Sequence, residues 1–406
     1  MFHIELPNFS IKRLAIKLKS STEKIVQSGH PWVFSDSIIK QNAEATSGDM
    51  AIIFDTKKNT FLAIGLFDLD SPIRIKILQA NKPETIDKEW FKRKISAAYN
   101  RRKELFKTDT NAYRLIFGEN DSFPGFIADV YDKVLVVKLY STIWFPYLRM
   151  ILPELIAISQ CTTVVMRLSR QLQRIDNNFG ITDGMVIYGE LEEEVVIFKE
   201  HGILFSANVI HGHKTGYFLD HRHNRKKVGA LATNKNLLDV FSYAGGFSVH
   251  ALANGASEVI SLDISEQALE MAKKNAVLNT YKGIHKTIVA DAFEGMQKMI
   301  DSSRKFDIVV IDPPSFAKRK NEIERAMNSY SKLVKLGVQL VNKNGIFVMA
   351  SCSSRIESIP FFELVEKSIL NAGKNFQIFE KTYHDIDHPI TFKEASYLKC
   401  GYYRIQ

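Results

Sequence analysis

The sequence predicts a multidomain α/β protein in three parts: a β-rich module over residues 1–80, a central α+β domain over 81–205, and a Rossmann-like doubly wound sheet over 206–406. Three observations predict this. At roughly 150 residues per domain, 406 residues suggest two or three domains. A composition of 45% hydrophobic and 11% aromatic residues excludes a disordered, collagen-like or disulfide-dependent chain. After Asn236 the pattern changes from short strands between turns to a regular alternation of strand and helix.

In the first part, strands are expected at Leu14 to Leu18, Met50 to Phe54, Phe61 to Phe67 and Ile73 to Leu78, separated by turn signals such as Gly29-His30-Pro31 and Ser47-Gly48-Asp49. A basic amphipathic helix follows from Asp87 to Phe106, with Trp90, Ile95, Ala98 and Leu105 on its apolar face. The central part offers strands at Phe126 to Val130, Val134 to Leu139, Thr163 to Leu168, Met185 to Tyr188 and Val195 to Phe198, and one helix from Pro146 to Ile158. The last part offers buried strands at Leu237 to Phe241, Glu258 to Leu262, Thr287 to Ala290, Phe306 to Ile311 and Ile346 to Ala350, each followed by a helical stretch. Ser265 caps one of those helices, and Tyr397 to Ile405 reads as a final strand.

In open α/β sheets ligands bind beyond the carboxyl ends of the strands, so the residues there carry the functional reading. Strand one ends in Asp239-Val240-Phe241-Ser242-Tyr243-Ala244-Gly245-Gly246, where the glycine pair permits a tight turn and close ligand approach. Strand two ends in Asp263-Ile264, whose carboxylate can accept from both hydroxyls of a ribose, and strand three in Asp291-Ala292, placed to bond an adenine amino group. Strand four ends in Asp312-Pro313-Pro314-Ser315, a rigid loop whose prolines lack N–H donors. No G-x-G-x-x-G follows strand one, so a nucleoside cofactor without a pyrophosphate fits better than a dinucleotide. The bland alternative makes the glycine pair a packing turn and Asp263 a solvated strand end.

On these motifs the last part resembles the class I S-adenosylmethionine-dependent methyltransferases, which implies a mostly parallel seven-stranded sheet. The resemblance assigns Asp239, Phe241, Ser242, Gly245, Gly246, Asp263, Ile264, Asp291, Ala292 and Asp312 to S-adenosylmethionine. Strand five ends in Ser351-Cys352-Ser353. A lone cysteine is commonly inert core, but this one lies at the cleft edge. Carbon-5 of cytosine is too weakly nucleophilic to take a methyl group until a thiolate has added to carbon-6. Methylation of an exocyclic amine needs no thiol, so Cys352 separates the two chemistries.

Further motifs extend the resemblance over nearly the whole chain: Gly29-His30-Pro31-Trp32-Val33-Phe34-Ser35, Gly118-Glu119-Asn120-Asp121 with Pro124-Gly125, and Lys214-Thr215-Gly216-Tyr217-Phe218-Leu219-Asp220 with Arg222. Together they resemble the PUA-domain ribosomal RNA cytosine-5 methyltransferases that act on large-subunit RNA. That resemblance implies a PUA-like RNA-binding barrel over 1–80, Cys352 as nucleophile with Asp312 beside the base, and Lys214, Thr215, Phe218 and Arg222 near the cofactor. A second cysteine in the motif after strand four, frequent in cytosine-5 enzymes of RNA, is replaced here by Pro-Pro-Ser, leaving the group that drives product release open.

Net charge is +9, and it is concentrated: Lys88 to Lys107 holds 8 basic and 2 acidic residues, and His211 to Lys227 holds 5 basic and 1 acidic. These segments read as phosphate-tracking surfaces, with Arg101, Arg102, Lys226 and Lys227 as RNA contacts beside Pro313 and Pro314 at the base; a plain solvated face is the bland alternative. His211, His213, His221 and His223 fall close together, but without paired carboxylates they suit phosphate contact or plain surface better than a metal, and no metal is expected. Trp32 and Phe34 suit core packing better than base stacking.

Three widely spaced cysteines, Cys161, Cys352 and Cys400, fit a reducing, cytoplasmic compartment. The most apolar stretch, Ile143 to Ile158, is broken by Pro146, Arg149, Pro153 and Glu154, so no membrane span is expected. The expected substrate is naked or partly assembled large-subunit ribosomal RNA with an unpaired or extruded cytosine, and a homodimer is compatible with the sequence. Two alternatives stand beside this reading: a guanine or adenine nitrogen methyltransferase working through Asp-Pro-Pro-Ser, and a non-catalytic RNA-binding assembly factor.

Overall fold

A computed structural model describes residues 2–175 and 179–406. The chain forms two compact units, the first comprising Met1–Lys199, Ser206–Leu219 and Ile386–Phe392, the second Glu200–Phe205, Asp220–Asp385 and Lys393–Gln406.

The first unit begins with β1 (Arg13–Leu18), α1 (Ser20–Gln27), β2 (Trp32–Phe34), β3 (Ile38–Gln41), β4 (Met50–Phe54), β5 (Phe61–Phe67) and β6 (Ile73–Ala80). The strands form one sheet in the order β2-β6-β5-β4-β1-β3. The expected barrel is an open one, since no described ladder joins β2 to β3. Alternate residues Leu14, Ile16 and Leu18 pack with Ile53, Leu62 and Ile75 as its core. Trp32 is half-buried, its indole donating to Glu119 Oε1 at 3.1 Å, whereas Phe34 is exposed, which corrects its expected place in the core.

Next come α2 (Lys88–Arg101), β7 (Ala112–Phe117), β8 (Phe126–Tyr131), β9 (Val134–Leu139), α3 (Leu148–Ser159), β10 (Thr163–Leu168) and β11 (Met185–Tyr188), with a second sheet in the order β11-β10-β9-β8-β7. Asp87 starts α2 by accepting from Trp90 N at 2.9 Å, and Trp90, Phe91, Phe123, Trp144 and Tyr147 fill the core between helices and sheet. Arg102 is wholly buried: its guanidinium grips Asp121 through Nη2–Oδ2 at 2.5 Å and Nη1–Oδ1 at 3.0 Å, and donates to the carbonyls of Ala98, Arg114 and Asp387. Arg102 is therefore corrected from RNA contact to internal brace. Arg101 shares Asp121 at 3.1 Å and stays partly exposed.

The chain continues through the ladder β12 (Val195–Glu200) and β13 (Ile203–Asn208). In the second unit α4 (Arg222–Leu231), β14 (Asn236–Val240), α5 (Gly246–Ala253), β15 (Glu258–Asp263), α6 (Glu266–Val277), β16 (Ile284–Val289), α7 (Ala292–Asp301), β17 (Phe306–Ile311), α8 (Ile323–Gln339), β18 (Val341–Ser351) and α9 (Ser358–Asn371) are followed by β19 (Phe376–Thr382) and β20 (Lys399–Ile405). The sheet has seven strands in the order β16-β15-β14-β17-β18-β20-β19, parallel except for β20 inserted antiparallel between β18 and β19. Strand order reverses between β14 and β17, so the cleft lies beyond the carboxyl ends of those two strands.

Glu200, the last residue of β12, is buried in a bidentate pair with Arg225 of α4 (2.7 and 2.6 Å) and bonds His250 of α5 at 2.8 Å. Burial opposes the charge of Glu200, but the Arg225 guanidinium and the hydrogen bond from His250 outweigh it and hold the carboxyl far below its usual range.

Candidate active site

The loop after β14 is backbone-strained. Phe241 (φ 63°) and Tyr243 (φ 46°) both sit in the left-handed region, as does Gly245 (φ 76°). A Cβ on Gly245 would come within 2.8 Å of the Ala272 Cβ on α6, so this position requires glycine for space as well as for conformation. Gly246 opens α5.

Asp239 is buried with one oxygen committed: Oδ2 accepts from Ser248 N (3.1 Å) and Oγ (2.7 Å). Asp239 Oδ1 and Ser242 Oγ are buried without a hydrogen-bond partner among the described residues. Native proteins rarely leave such atoms orphaned, so a ligand with polar groups belongs here. Burial pushes the Asp239 carboxyl up to about 7, against the pull of the Ser248 bonds and with help from Asp312 and Asp263.

Asp263 accepts from Tyr243 N and Ser265 N, both at 2.9 Å, which ties the first two strand ends together. Ile264 is exposed beside it. Asp291 caps α7, its Oδ1 accepting from Phe293 N at 2.9 Å and Glu294 N at 3.3 Å, and Ala292 is buried. Three strand ends thus present three carboxylates and a glycine turn, a set of acceptors that fits the sugar, base and cationic parts of S-adenosylmethionine.

Cys352 is half-buried directly beyond β18, with its Sγ 3.8 Å from Asp312 Oδ1. Pro313 is buried and Pro314 exposed. Lys399, buried on β20, donates its ammonium to the carbonyls of Ser353 (2.5 Å), Ile356 (2.7 Å) and Tyr397 (3.0 Å), fixing the turn that carries the thiol. Burial lowers Lys399 to about 8. Burial likewise pushes the Cys352 thiol well above its usual value, and the Asp312 and Asp220 carboxylates push in the same direction.

Two residues near the thiol escaped the sequence reading. Lys399 carried no motif. His221, grouped with surface histidines, is instead buried, with Nε2 3.4 Å from Cys352 Sγ and 3.4 Å from Asp312 Oδ2. His211, His213 and His223 are exposed. The chain separation of 131 residues between His221 and Cys352 hides their proximity from any motif search.

Three other predicted contacts, Thr215, Arg222 and Lys227, are engaged elsewhere. Thr215, in the first unit, is buried and donates to Asp129 Oδ2 at 2.6 Å, so its hydroxyl is corrected from ligand contact to internal bond. In that unit the Lys214 carbonyl accepts from Lys138 Nζ at 2.8 Å, and Phe218 is exposed. Arg222 is buried and paired with Asp385 at 3.0 Å, which commits its charge within the second unit. Lys227 pairs with Glu380 and lies over the Tyr402 ring, while Lys226 is exposed.

Comparison with known proteins adds to this geometry. Residues 123–372 match the S-adenosylmethionine-dependent methyltransferase family, and residues 16–80 match the PUA-like domain. The chain is 41% identical to a ribosomal RNA large subunit methyltransferase of Deinococcus radiodurans, over 97% of this chain and 98% of that protein. It is 33% identical to ribosomal RNA large subunit methyltransferase I of Escherichia coli O157:H7, over 94% and 97%. In fold it is similar to a putative S-adenosylmethionine-dependent methyltransferase from Streptococcus mutans (TM-score 0.79, 20% identity, 96% and 99% covered). It is similarly close to a putative methyltransferase complexed with S-adenosylhomocysteine (TM-score 0.80, 20% identity, 97% and 100% covered).

Proposed function

The chain belongs to the S-adenosylmethionine-dependent ribosomal RNA large subunit methyltransferases, with a PUA-like domain at its N-terminus, and we propose that it forms 5-methylcytosine in 23S ribosomal RNA through a covalent adduct at Cys352. The observation that carries the proposal is the thiol itself, half-buried beyond β18 with Asp312 at 3.8 Å. Nitrogen methylation has no use for a nucleophilic sulfur at that place.

Bound S-adenosylmethionine supplies a methyl group made electrophilic by its sulfonium. Asp239 and Ser242 hold its polar end through the orphaned oxygens, Asp263 its ribose and Asp291 its adenine, while Phe241, Gly245, Gly246, Ile264 and Ala292 shape the walls. The Asp312 carboxylate and the carbonyls around Pro313 and Pro314 hold the polar edge of an extruded cytosine. Cys352 adds to carbon-6, carbon-5 is methylated, and loss of the carbon-5 proton expels the thiol. Lys226 and Arg101 offer exposed charge to RNA phosphates.

The reading is tested by incubating the protein with ribosomal RNA from a strain lacking it, then digesting the RNA and identifying the methylated nucleoside by mass spectrometry. 5-Methylcytidine is expected. A methylated guanosine or adenosine would move the assignment to nitrogen chemistry at Asp-Pro-Pro-Ser.

A further inference from the structure

We propose that His221 is the proton partner of Cys352: it takes the thiol proton as sulfur adds to the base and returns it to sulfur on product release. The inference rests on the covalent Cys352 reading and supplies the release group that a second cysteine would otherwise provide.

The imidazole, the thiol and the Asp312 carboxylate place one heteroatom each within 4.8 Å of one another. Among the groups around the sulfur, Asp312 stands at 3.8 Å, but a carboxylate is ordinarily several pKa units too weak a base to accept a thiol proton. The Lys399 ammonium is held by three carbonyls. His221 Nε2 is closer than Asp312, at 3.4 Å, and imidazole is ordinarily the stronger base of the two.

The other face of the ring is also prepared. Nδ1 lies 3.2 Å from the Asn224 side-chain amide, and the ring packs edge-on against Phe247 at 5.6 Å. Thr382 Oγ1 and Tyr402 Oη bond Asn224 Oδ1, yet each has a backbone carbonyl acceptor at 3.4 Å, Cys400 O and Asn224 O. The amide can therefore turn its oxygen to Nδ1 without stranding either hydroxyl, leaving Nε2 free to accept. The charged groups facing His221 are Asp312, Asp220 and Arg225; those facing Cys352 are Asp312, Asp220 and Lys399, with Cys400 nearby. Burial disfavours the imidazolium, but Asp312 and Asp220 outweigh it and raise His221 above its ordinary value.

In the adding step the S–H proton moves to Nε2, sulfur bonds carbon-6, and the C5=C6 pair moves onto carbon-5. Carbon-5 takes the methyl group, whose bond to the sulfonium breaks with its pair left on the thioether. On release the C5 proton passes to water, the C5–H pair re-forms C5=C6, the C6–S bond breaks with its pair on sulfur, and the imidazolium returns its proton.

The test is the pH profile of Cys352 alkylation by iodoacetamide, read by mass spectrometry, with buried Cys161 and Cys400 as internal references. In His221→Gln the profile should move to higher pH by about one unit or more, with alkylation at neutral pH slowed about tenfold per unit, while S-adenosylmethionine binding persists. Methylation by His221→Gly should be partly restored by added imidazole. A second measurement leaves His221 in place: its NMR titration should show two steps in the wild type and one in Cys352→Ser. Unchanged alkylation and methylation profiles in His221→Gln, with Cys352→Ala inactive, would overturn the His221 role alone. Wild-type turnover by Cys352→Ala would overturn the covalent reading beneath it.

Discussion

In the proposed reading Asp239 meets two opposed demands, a buried carboxyl that resists ionisation and a ligand that brings a cationic amine. Its raised value of about 7 means the folded protein holds this proton more tightly than the unfolded chain. Its contribution to stability is therefore present below about pH 4 and lost as pH rises through 7. A cationic ligand reverses the preference, so S-adenosylmethionine affinity should rise about tenfold between pH 6 and 8, measured by calorimetry, and Asp239→Asn should flatten that dependence while weakening binding. Cys352→Ala is expected to retain cofactor binding and lose turnover, read by label transfer to RNA. Asp239, Asp312 and Cys352 were legible because each directly follows a buried apolar run, and the fold rule places such residues at the cleft. His221 and Lys399 were not, because burial and a partner 131 residues away leave no local trace for His221, and Lys399 hydrogen-bonds backbone carbonyls, which carry no sequence signature.

Strands with clean patterning were read to within a residue or two, as with β4, β5 and β17, since alternation or an unbroken apolar run reports burial directly. β18 runs from Val341, five residues before the expected start, because Asn342-Lys343-Asn344-Gly345 has the composition of a turn and lies inside the strand. β19 was missed because its residues are largely exposed at a sheet edge. The turn between β14 and α5 is the element the proposed function couples to the cofactor. Gly245→Ala should strain it by about 1–3 kcal/mol and weaken S-adenosylmethionine binding more than it lowers the melting temperature, since the clash with Ala272 displaces the turn itself. The Gly118-Glu119-Asn120-Asp121 segment, which helped carry the family resemblance, serves the interior instead. Asp121→Ala leaves Arg102 buried without its counterion and should cost about 3–5 kcal/mol, measured by denaturant unfolding.

At the scale of the molecule, charge counted along the chain overstates charge in space. Arg93 is paired with Glu84, Arg102 with Asp121, Arg222 with Asp385, Arg225 with Glu200 and Lys227 with Glu380. Lys92, Lys103 and Lys226 are exposed. Lys226→Gln should lower RNA affinity and reduce the slope of binding against salt by about one, in a filter-binding series, whereas Arg102→Gln should act through stability. The two units also exchange segments along the chain. The Asp387 carboxylate accepts from Arg114 N, the Asp387 carbonyl from Arg102, and Asn120 Oδ1 from Thr391, so the first unit depends on residues near the end of the sequence. At about 5–20 residues per second, a ribosome must still add the 271 positions that separate Asn120 from Thr391 before that bond can form. The amino-terminal half is thus made well before its last braces and waits for them while the later part of the chain is synthesised.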